Sequence, residues 1–246
     1  MREEPLEQTL VLIKPEALKL SLTGYLLSQF SEFHTGLRYA GAKIVHVSRM
    51  LAEEHYAEHR GKSFFDALID YITGRIHYAD RPERRRVVAL VYCGVGAVKR
   101  VRDIAGPTNP HDAREKAPGT VRALGTVVPV KDASGTVIGD RWDNLVHASA
   151  SSQEAEREIK LWFQPGDIMP YMHAYPTEVC GGHYYYLPGR LLTTYEPQSV
   201  GFLTPGDIAW KSDLDSLQSI LRGEPAASSL EGVVAKYLIN RTREDA

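Results

Sequence analysis

Apolar residues in the first two thirds of the chain alternate between continuous runs, which predict strands, and helically spaced positions, which predict helices. The predicted strands lie within residues 9–13, 37–50, 87–92 and 144–147, and the predicted helices within 22–33, 53–58, 62–72, 97–105 and 152–162. This order resembles the βαββαβ plan of ferredoxin-like folds. We therefore expect an α/β (α+β) fold in which helices cover a four-stranded antiparallel sheet.

Two segments interrupt this pattern. Residues 75–86 are polar and carry a basic run, so we expect an exposed loop with a solvated face. Residues 106–144 read as a long irregular stretch broken by proline and glycine. A loop of that length inside a domain is usually functional or disordered.

The character of the chain changes after Pro165, where glycine, proline and tyrosine become frequent. Two helices are predicted beyond that region, at residues 206–222 and 228–241, and each has an apolar side that must be buried. We therefore divide the chain into a domain at residues 1–165 and a C-terminal extension at residues 166–246. We expect the extension to pack on the same subunit or on a neighbour and to help set the assembly.

Composition narrows the class of protein. The formal net charge is −2 and the pI is about 6.5, so the basic surplus of a nucleic-acid binder is missing. No apolar run approaches the roughly 20 residues of a membrane span. The N-terminal residues lack the apolar stretch of a signal peptide, and two cysteines are too few for a disulfide framework. We expect a cytoplasmic protein that binds neither nucleic acid nor membrane.

Several polar residues stand at positions where chemistry is possible. His147 lies between small and polar residues just before a predicted helix that Ser151 could cap. Lys14 ends a buried strand, where its ammonium group must reach an anion or solvent. Taken singly, such a histidine is more often structural, and Arg102 and Arg122 are more often partners in surface ion pairs.

Seven segments in chain order together resemble nucleoside diphosphate kinases. They lie at residues 11–16, 54–56, 64–65, 102 with 108–110, 118–122, 144–149 and 154–163. The resemblance covers about two thirds of the chain and implies the ferredoxin-like fold. It also implies transfer of the γ-phosphoryl group of a nucleoside triphosphate such as ATP to a nucleoside diphosphate, by a ping-pong mechanism through a phosphohistidine.

The resemblance assigns the catalytic residues one by one. His147 would be the nucleophile, because a neutral imidazole is available near neutral pH. Ser149 and Glu158 would orient the His147 ring, and Tyr56 would contact the phosphoryl position. Lys14 would contact both the phosphoryl group and the ribose hydroxyl.

The nucleotide-binding residues follow from the same resemblance. Arg102 and Arg122 would clamp phosphate oxygens with their planar guanidinium groups, and Thr108 would donate its hydroxyl to the phosphates. Asn144 would hydrogen-bond the ribose, and Phe65 would stack on the base. Mg²⁺ would be bound through the nucleotide phosphates, with no dedicated set of metal ligands in the protein. The resemblance further implies a homo-oligomer.

The chain also departs from the family pattern. Ala150 stands where an aspartate usually follows the serine, and Ala148 stands where glycine is usual. Residues 75–86 and 126–142 are insertions, with a shorter one at residues 114–116. The larger insertion precedes Asn144, so it could change the base preference.

Two other interpretations remain open at this level. The first is a catalytically silent nucleotide-binding or scaffolding module of the same fold, which should have lost a catalytic residue. The second is a ferredoxin-like regulatory domain, which would leave Lys14, Arg102, Arg122 and His147 without a shared purpose. His173, Cys180 and His183 have irregular spacing, which favours a structural role over a metal site.

Overall fold

Short strands and helices follow one another along the chain. A computed structural model describes residues 6–131 and 133–239. In chain order the strands are β1 (Glu7–Ile13), β2 (Arg38–Val45), β3 (Val87–Gly94), β4 (Thr126–Lys131), β5 (Val137–Asp143), β6 (Val146–Ala148), β7 (Thr177–Val179), β8 (Tyr184–Leu187), β9 (Arg190–Leu192), β10 (Val200–Leu203) and β11 (Ile208–Trp210). The helices are α1 (Pro15–Lys19), α2 (Thr23–Gln29), α3 (Glu32–Thr35), α4 (Arg49–His55), α5 (Phe65–Ile72), α6 (Ala97–Ala105), α7 (Pro110–Lys116), α8 (Ser152–Trp162), α9 (Lys211–Leu221) and α10 (Leu230–Val234).

The central sheet has the order β2-β3-β1-β6 among the described strands, with every neighbouring pair antiparallel. This is the ferredoxin-like arrangement predicted from the order of the elements, and the prediction is confirmed. Strand β1 is apolar throughout because both of its faces are buried. Leu10 and Leu12 contact one core cluster together with α4, α5 and α8, whereas Val11 and Ile13 contact a second cluster with α2 and α6.

The stretch at residues 106–144 is more regular than we predicted. Pro110 occupies the first turn of α7, where a missing N–H costs nothing, and the side chain of Asn109 accepts the His111 N–H at the helix start. Strands β4 and β5 then pair with each other to form a hairpin, which we call the inserted hairpin. Within the described residues it pairs with no third strand. Proline and glycine therefore marked element ends here and not a structureless loop.

The segment at residues 75–86 is only partly the exposed loop that we predicted. Pro82–Arg84 form an exposed 3-10 turn. His77, however, is buried and lies against the end of the inserted hairpin, with its Nε2 at 3.2 Å from Oδ2 of Asp143. The insertion at residues 75–86 therefore meets the end of the inserted hairpin.

The C-terminal extension adds short strands that the sequence analysis missed, together with the two expected helices. Strands β8, β9 and β10 form one sheet and β7 pairs with β11. Because Ile208–Trp210 are extended, α9 begins at Lys211, five residues later than we predicted from residue 206. The second predicted helix is shorter than expected, and residues 240 and 241 of that prediction lie outside the described residues.

The extension packs against the same chain. The indole N–H of Trp210 donates to the carbonyl of Phe163 at 2.7 Å, and Trp210 is fully buried in the core cluster around α8. A buried ion pair joins Lys236 to Asp213 at 2.9 Å inside the extension. Among the described residues, none of the helices has the length and apolar character needed to cross a membrane.

Candidate active site

His147 lies in β6, the short strand beside β1. In the antiparallel register Leu12 pairs with His147, and the amide of Lys14 donates to the carbonyl of Leu145 at 2.9 Å. These contacts bring the end of β1 next to the strand that carries the histidine. Helix α8 follows immediately, and its buried face presents Glu158 to the same place.

Glu158 fixes the orientation of the His147 ring. Oε2 of Glu158 lies 2.9 Å from Nε2 of His147 and accepts the Ser149 hydroxyl at 2.6 Å. Burial opposes ionisation of Glu158, but the charge of His147 and these two hydrogen bonds outweigh it and lower its pKa to about 2. An ionised carboxylate can only accept, so Nε2 carries the imidazole proton and the lone pair lies on Nδ1.

Three cationic side chains gather beside this histidine strand. Arg122 is buried and donates to the carbonyls of Gly106 and Val146, the residue before His147, at 2.9 and 3.2 Å. Burial and then the charge of Arg102 lower the pKa of Arg122 to about 10. No carboxylate within residues 6–131 and 133–239 forms an ion pair with Lys14, Arg102 or Arg122. Such a cluster is typical of an anion site.

Lys14 is held against Asn144. Its Nζ donates to Oδ1 of Asn144 at 2.6 Å, and Nδ2 of Asn144 donates to the carbonyl of Thr108 at 2.9 Å. Burial, and not a like charge, is the main reason that the pKa of Lys14 falls to about 8. Lys14 and Asn144 are buried, whereas Thr108 is exposed. The hydrogen bonds therefore link the buried part of the site to the protein surface.

The sequence analysis gave no role to His55, although residues 54–56 were among the segments that resemble the family. The His55 ring meets the His147 ring nearly at right angles, with centroids 4.7 Å apart, and its Nδ1 accepts the Trp162 indole N–H at 3.2 Å. Burial, followed by the charge of His147, lowers the pKa of His55 to about 3, so this imidazole is neutral. The Tyr56 ring also lies edge-on to His55, with centroids 4.6 Å apart. Burial raises the pKa of Tyr56, which keeps its hydroxyl protonated as a donor.

The two adjacent phenylalanines differ in their surroundings. Phe65, to which the resemblance assigned base stacking, begins α5 and packs partly buried against the core cluster. Phe64 is 49% exposed and lies edge-on to His59 at 5.7 Å. Phe64 therefore exposes more of its ring to a ligand than Phe65 does, with the Lys62 ammonium 5.7 Å from the ring centre.

The departure at Ala150 has a local replacement. Ser151 caps α8 by accepting the Glu154 N–H at 3.1 Å, and the Glu154 carboxylate accepts the Ala150 N–H at 3.2 Å. A carboxylate from the first turn of the helix therefore occupies the helix start where the family pattern has an aspartate. Its charge there is also favourable for the helix dipole.

A buried carboxylate that orients a histidine beside clustered cations defines a class of site, one that moves a phosphoryl group through an imidazole. Comparison with known proteins agrees with this class. The family model described as nucleoside diphosphate kinase matches residues 7–168. The chain therefore belongs to the nucleoside diphosphate kinase family of phosphotransferases.

Individual relatives support the assignment. The chain is 44% identical over 168 residues to a nucleoside diphosphate kinase of Pyrococcus furiosus, which covers 68% of this chain and 89% of the relative. The Aquifex aeolicus nucleoside diphosphate kinase structure is 30% identical with a TM-score of 0.53, covering 67% of this chain and 99% of its own. A Borrelia burgdorferi nucleoside diphosphate kinase structure, a transition state mimic with vanadate and ADP, is 28% identical with a TM-score of 0.50, covering 67% and 90%.

Proposed function

We propose that this chain transfers the γ-phosphoryl group of a nucleoside triphosphate to a nucleoside diphosphate through a phosphohistidine at His147. The observation that carries the proposal is the Nε2 contact with Glu158, which leaves the Nδ1 lone pair available. The cations Lys14, Arg102 and Arg122 beside it supply the charge that a triphosphate needs. A silent module would have no use for a histidine oriented in this way.

In the first half-reaction Nδ1 of His147 attacks the γ-phosphorus and an N–P bond forms. The bond between the γ-phosphorus and the bridging oxygen breaks, and the nucleoside diphosphate leaves with that electron pair. In the second half-reaction a terminal oxygen of another diphosphate attacks the phosphohistidine, and Nδ1 regains its lone pair. The Nε2 proton stays on the ring throughout, facing Glu158, and the Glu158 carboxylate stabilises the positive charge that develops on the imidazole.

The binding residues divide into those for phosphate and those for the nucleoside. We propose that Arg102, Arg122 and the Thr108 hydroxyl bind phosphate oxygens, and that Lys14 contacts the transferred group. The Arg122 side chain is already held in place in the folded chain, because it donates hydrogen bonds to two backbone carbonyls. Binding a phosphate therefore costs little further ordering of this side chain.

The nucleoside side of the site follows from Asn144 and the exposed phenylalanine. Asn144 shares its oxygen with Lys14, so it places the ribose next to the transferred phosphoryl group. Tyr56 would contact the transferred phosphoryl group with its hydroxyl, which stays protonated because burial raises the pKa of Tyr56. Stacking on Phe64 would tolerate different bases, because every base has a π-face.

We propose that Mg²⁺ binds with the nucleotide phosphates. The residues fit this arrangement, because the close cluster His55, His147 and Glu158 offers two nitrogens and a carboxylate that is already hydrogen-bonded, whereas Mg²⁺ prefers oxygen ligands. When bound to the phosphates, Mg²⁺ neutralises part of their charge. Lys14 and Arg122 then need to balance only the remainder.

Assembly and location are also proposals. Large apolar side chains are exposed on the inserted hairpin at Val130, Val137, Ile138 and Trp142, a surface that supports homo-oligomer formation. Sedimentation that gives only the monomer mass would contradict this. Both cysteines are free, as a reducing compartment such as the cytoplasm would keep them.

The test uses γ-labelled ATP and Mg²⁺ without an acceptor. We expect acid-labile, base-stable label on the wild-type chain, discharged when GDP is added, with parallel lines in initial-rate plots. His147→Ala should take no label, whereas His111→Ala, which removes an exposed histidine, should behave as the wild type. A folded wild-type chain that binds nucleotide but takes no label would support the silent module.

A further inference from the structure

The inserted hairpin ends one residue before Asn144, and what holds that end in place matters for the site. Strands β4 and β5 pair only with each other among the described strands, and most of their side chains are exposed. A two-stranded hairpin on its own is marginally stable in water. Its position relative to the active site must therefore come from contacts at its base.

The central contact at the base joins the insertion at residues 75–86 to the last residue of the hairpin. Asp143, the last residue of β5, faces His77 at 3.2 Å and receives two hydrogen bonds from Arg141 at 2.7 and 3.1 Å. The His77 and Asp143 side chains are 6% and 13% exposed, so the contact is shielded from solvent. Arg141 belongs to the same strand as Asp143 and cannot fix the hairpin to the rest of the protein, whereas His77 belongs to a separate segment.

The His77 ring also joins a network that continues to Lys14. It packs edge-on to Tyr71 at 5.2 Å, and the Tyr71 hydroxyl donates to Oε1 of Glu16. The Lys14 ammonium lies 5.0 Å above the Tyr71 ring. The surface beneath Lys14 is thus built from the same side chains that receive the hairpin.

The backbone after Asn144 shows why this support is needed. Leu145 is buried and has a φ of 71°, which is a left-handed backbone conformation. This conformation is unfavourable in free energy for any residue with a bulky side chain. Oε1 of Glu16 accepts the Leu145 N–H at 2.9 Å and thereby holds that turn from the side of Tyr71. Asp143 and Leu145, the neighbours of Asn144 on either side, are both tied to this network.

We propose that His77 is a positioning residue, which acts through Asp143 to hold Asn144 against Lys14 and so sets the affinity for the nucleotide. The inference rests on the proposed function, because Asn144 and Lys14 are its proposed nucleotide contacts. His147, Glu158 and Arg122 have their own hydrogen bonds and do not depend on His77. Loss of His77 should therefore weaken binding and leave the transfer step intact.

The test compares full-length variants in nucleotide affinity and single-turnover phosphorylation. His77→Phe keeps a ring beside Tyr71 but removes the donor to Asp143. We expect Kd for ADP and KM for nucleotides to rise about fivefold. A hydrogen bond to a charged group contributes roughly tenfold to an equilibrium constant, and only part of that effect should reach the nucleotide through Asn144. The phosphorylation rate at saturating ATP should stay within about twofold of the wild type on the same reasoning.

Conservative and control variants separate positioning from general stability. His77→Gln retains an amide donor and should restore nucleotide affinity, even if its melting temperature stays low. Arg84→Gln changes an exposed residue of the same insertion and should bind as the wild type does. If His77→Phe fails to fold, His77→Asn carries the same expectation, because its shorter amide does not reach Asp143.

Three results would overturn the inference. One is wild-type affinity in folded His77→Phe, the second is equal loss in His77→Phe and His77→Gln, and the third is a slower transfer step with unchanged affinity. A wild-type chain that neither binds ADP nor takes label would instead reject the proposed function, and this inference with it.

Discussion

Replacing Glu158 by glutamine removes the charge that faces His147 while keeping the shape of the side chain. The pKa of Glu158 falls from an ordinary 4.5 to about 2 in the folded chain, because the contacts with His147 and Ser149 outweigh the cost of burial. At 1.36 kcal/mol for each pKa unit, the net effect of burial and these contacts favours the ionised carboxylate by about 3 kcal/mol. The imidazole becomes more positive as the N–P bond forms, so much of that energy belongs to the transition state.

We expect Glu158→Gln to slow phosphorylation of His147 by roughly 10- to 100-fold, since about 1.4 kcal/mol corresponds to a tenfold change in rate. Rapid-quench measurement with labelled ATP gives this rate directly. Glu156→Gln is the matched control, because it makes the same change on the exposed side of α8, where Glu156 pairs with Lys160. Phosphorylation of Glu158→Gln at the rate of the control would refute the orienting role.

The same substitution has a signature in acid. A carboxyl whose pKa is lowered by folding stabilises the protein above its unfolded pKa, and this contribution is lost as the pH falls from about 4.5 to about 2. Urea unfolding should show the wild-type advantage over Glu158→Gln shrinking across that range. An advantage that does not change with pH would mean that the carboxylate is not ionised in the folded protein.

Three further changes test other parts of the account. The pKa of Lys14 is about 8, so Lys14 loses its charge as the pH rises above 8. Nucleotide KM should therefore rise from pH 8 to 10, and nucleotide binding should take up protons in that range. Lys14→Met should abolish both effects. Phe64→Ala should raise nucleotide KM by roughly 5-fold or more, whereas Phe65→Ala should mainly lower the melting temperature; the reverse outcome would restore Phe65 as the stacking ring. Lys236→Met should cost about 3–5 kcal/mol in urea unfolding by stranding a buried carboxylate, and adding Asp213→Leu should recover most of it; no recovery would show that the pair itself stabilises the extension.

The central sheet was predictable because burial on both faces leaves a clear pattern. Strand β1 alternates between two core clusters, so every residue from Leu10 to Ile13 is apolar and the strand reads as one run. The helix caps were equally legible, since Ser151 and Glu154 stand at capping-box spacing. Local chemistry and global packing agree at these positions.

Other features depend on contacts between distant residues and leave no local signal. Phe64 and Phe65 are the same residue type, and only the packing of α5 decides which one is exposed. His77 reads as part of a polar loop until Asp143, 66 residues later, is placed beside it. The short strands of the extension lack a run of buried residues, so turn residues dominate their pattern.

His55 shows a third kind of gap. Its segment matched the family pattern, but its role comes from the ring contact with His147 and the hydrogen bond from Trp162. These three residues come from α4, β6 and α8, which are separate in sequence. The family resemblance therefore predicted His147 as the nucleophile but gave no role to the neutral ring packed against it.

The most direct test of the account is to determine which nitrogen of His147 carries the phosphoryl group. The protein would be phosphorylated with ATP and Mg²⁺, and the product examined by phosphorus NMR and by mass spectrometry of base-treated peptides. Because Glu158 engages Nε2, we predict one phosphoryl group per active chain, on Nδ1 of His147. A phosphoryl group on Nε2, or stable label on another residue with His147 unmodified, would contradict the mechanism.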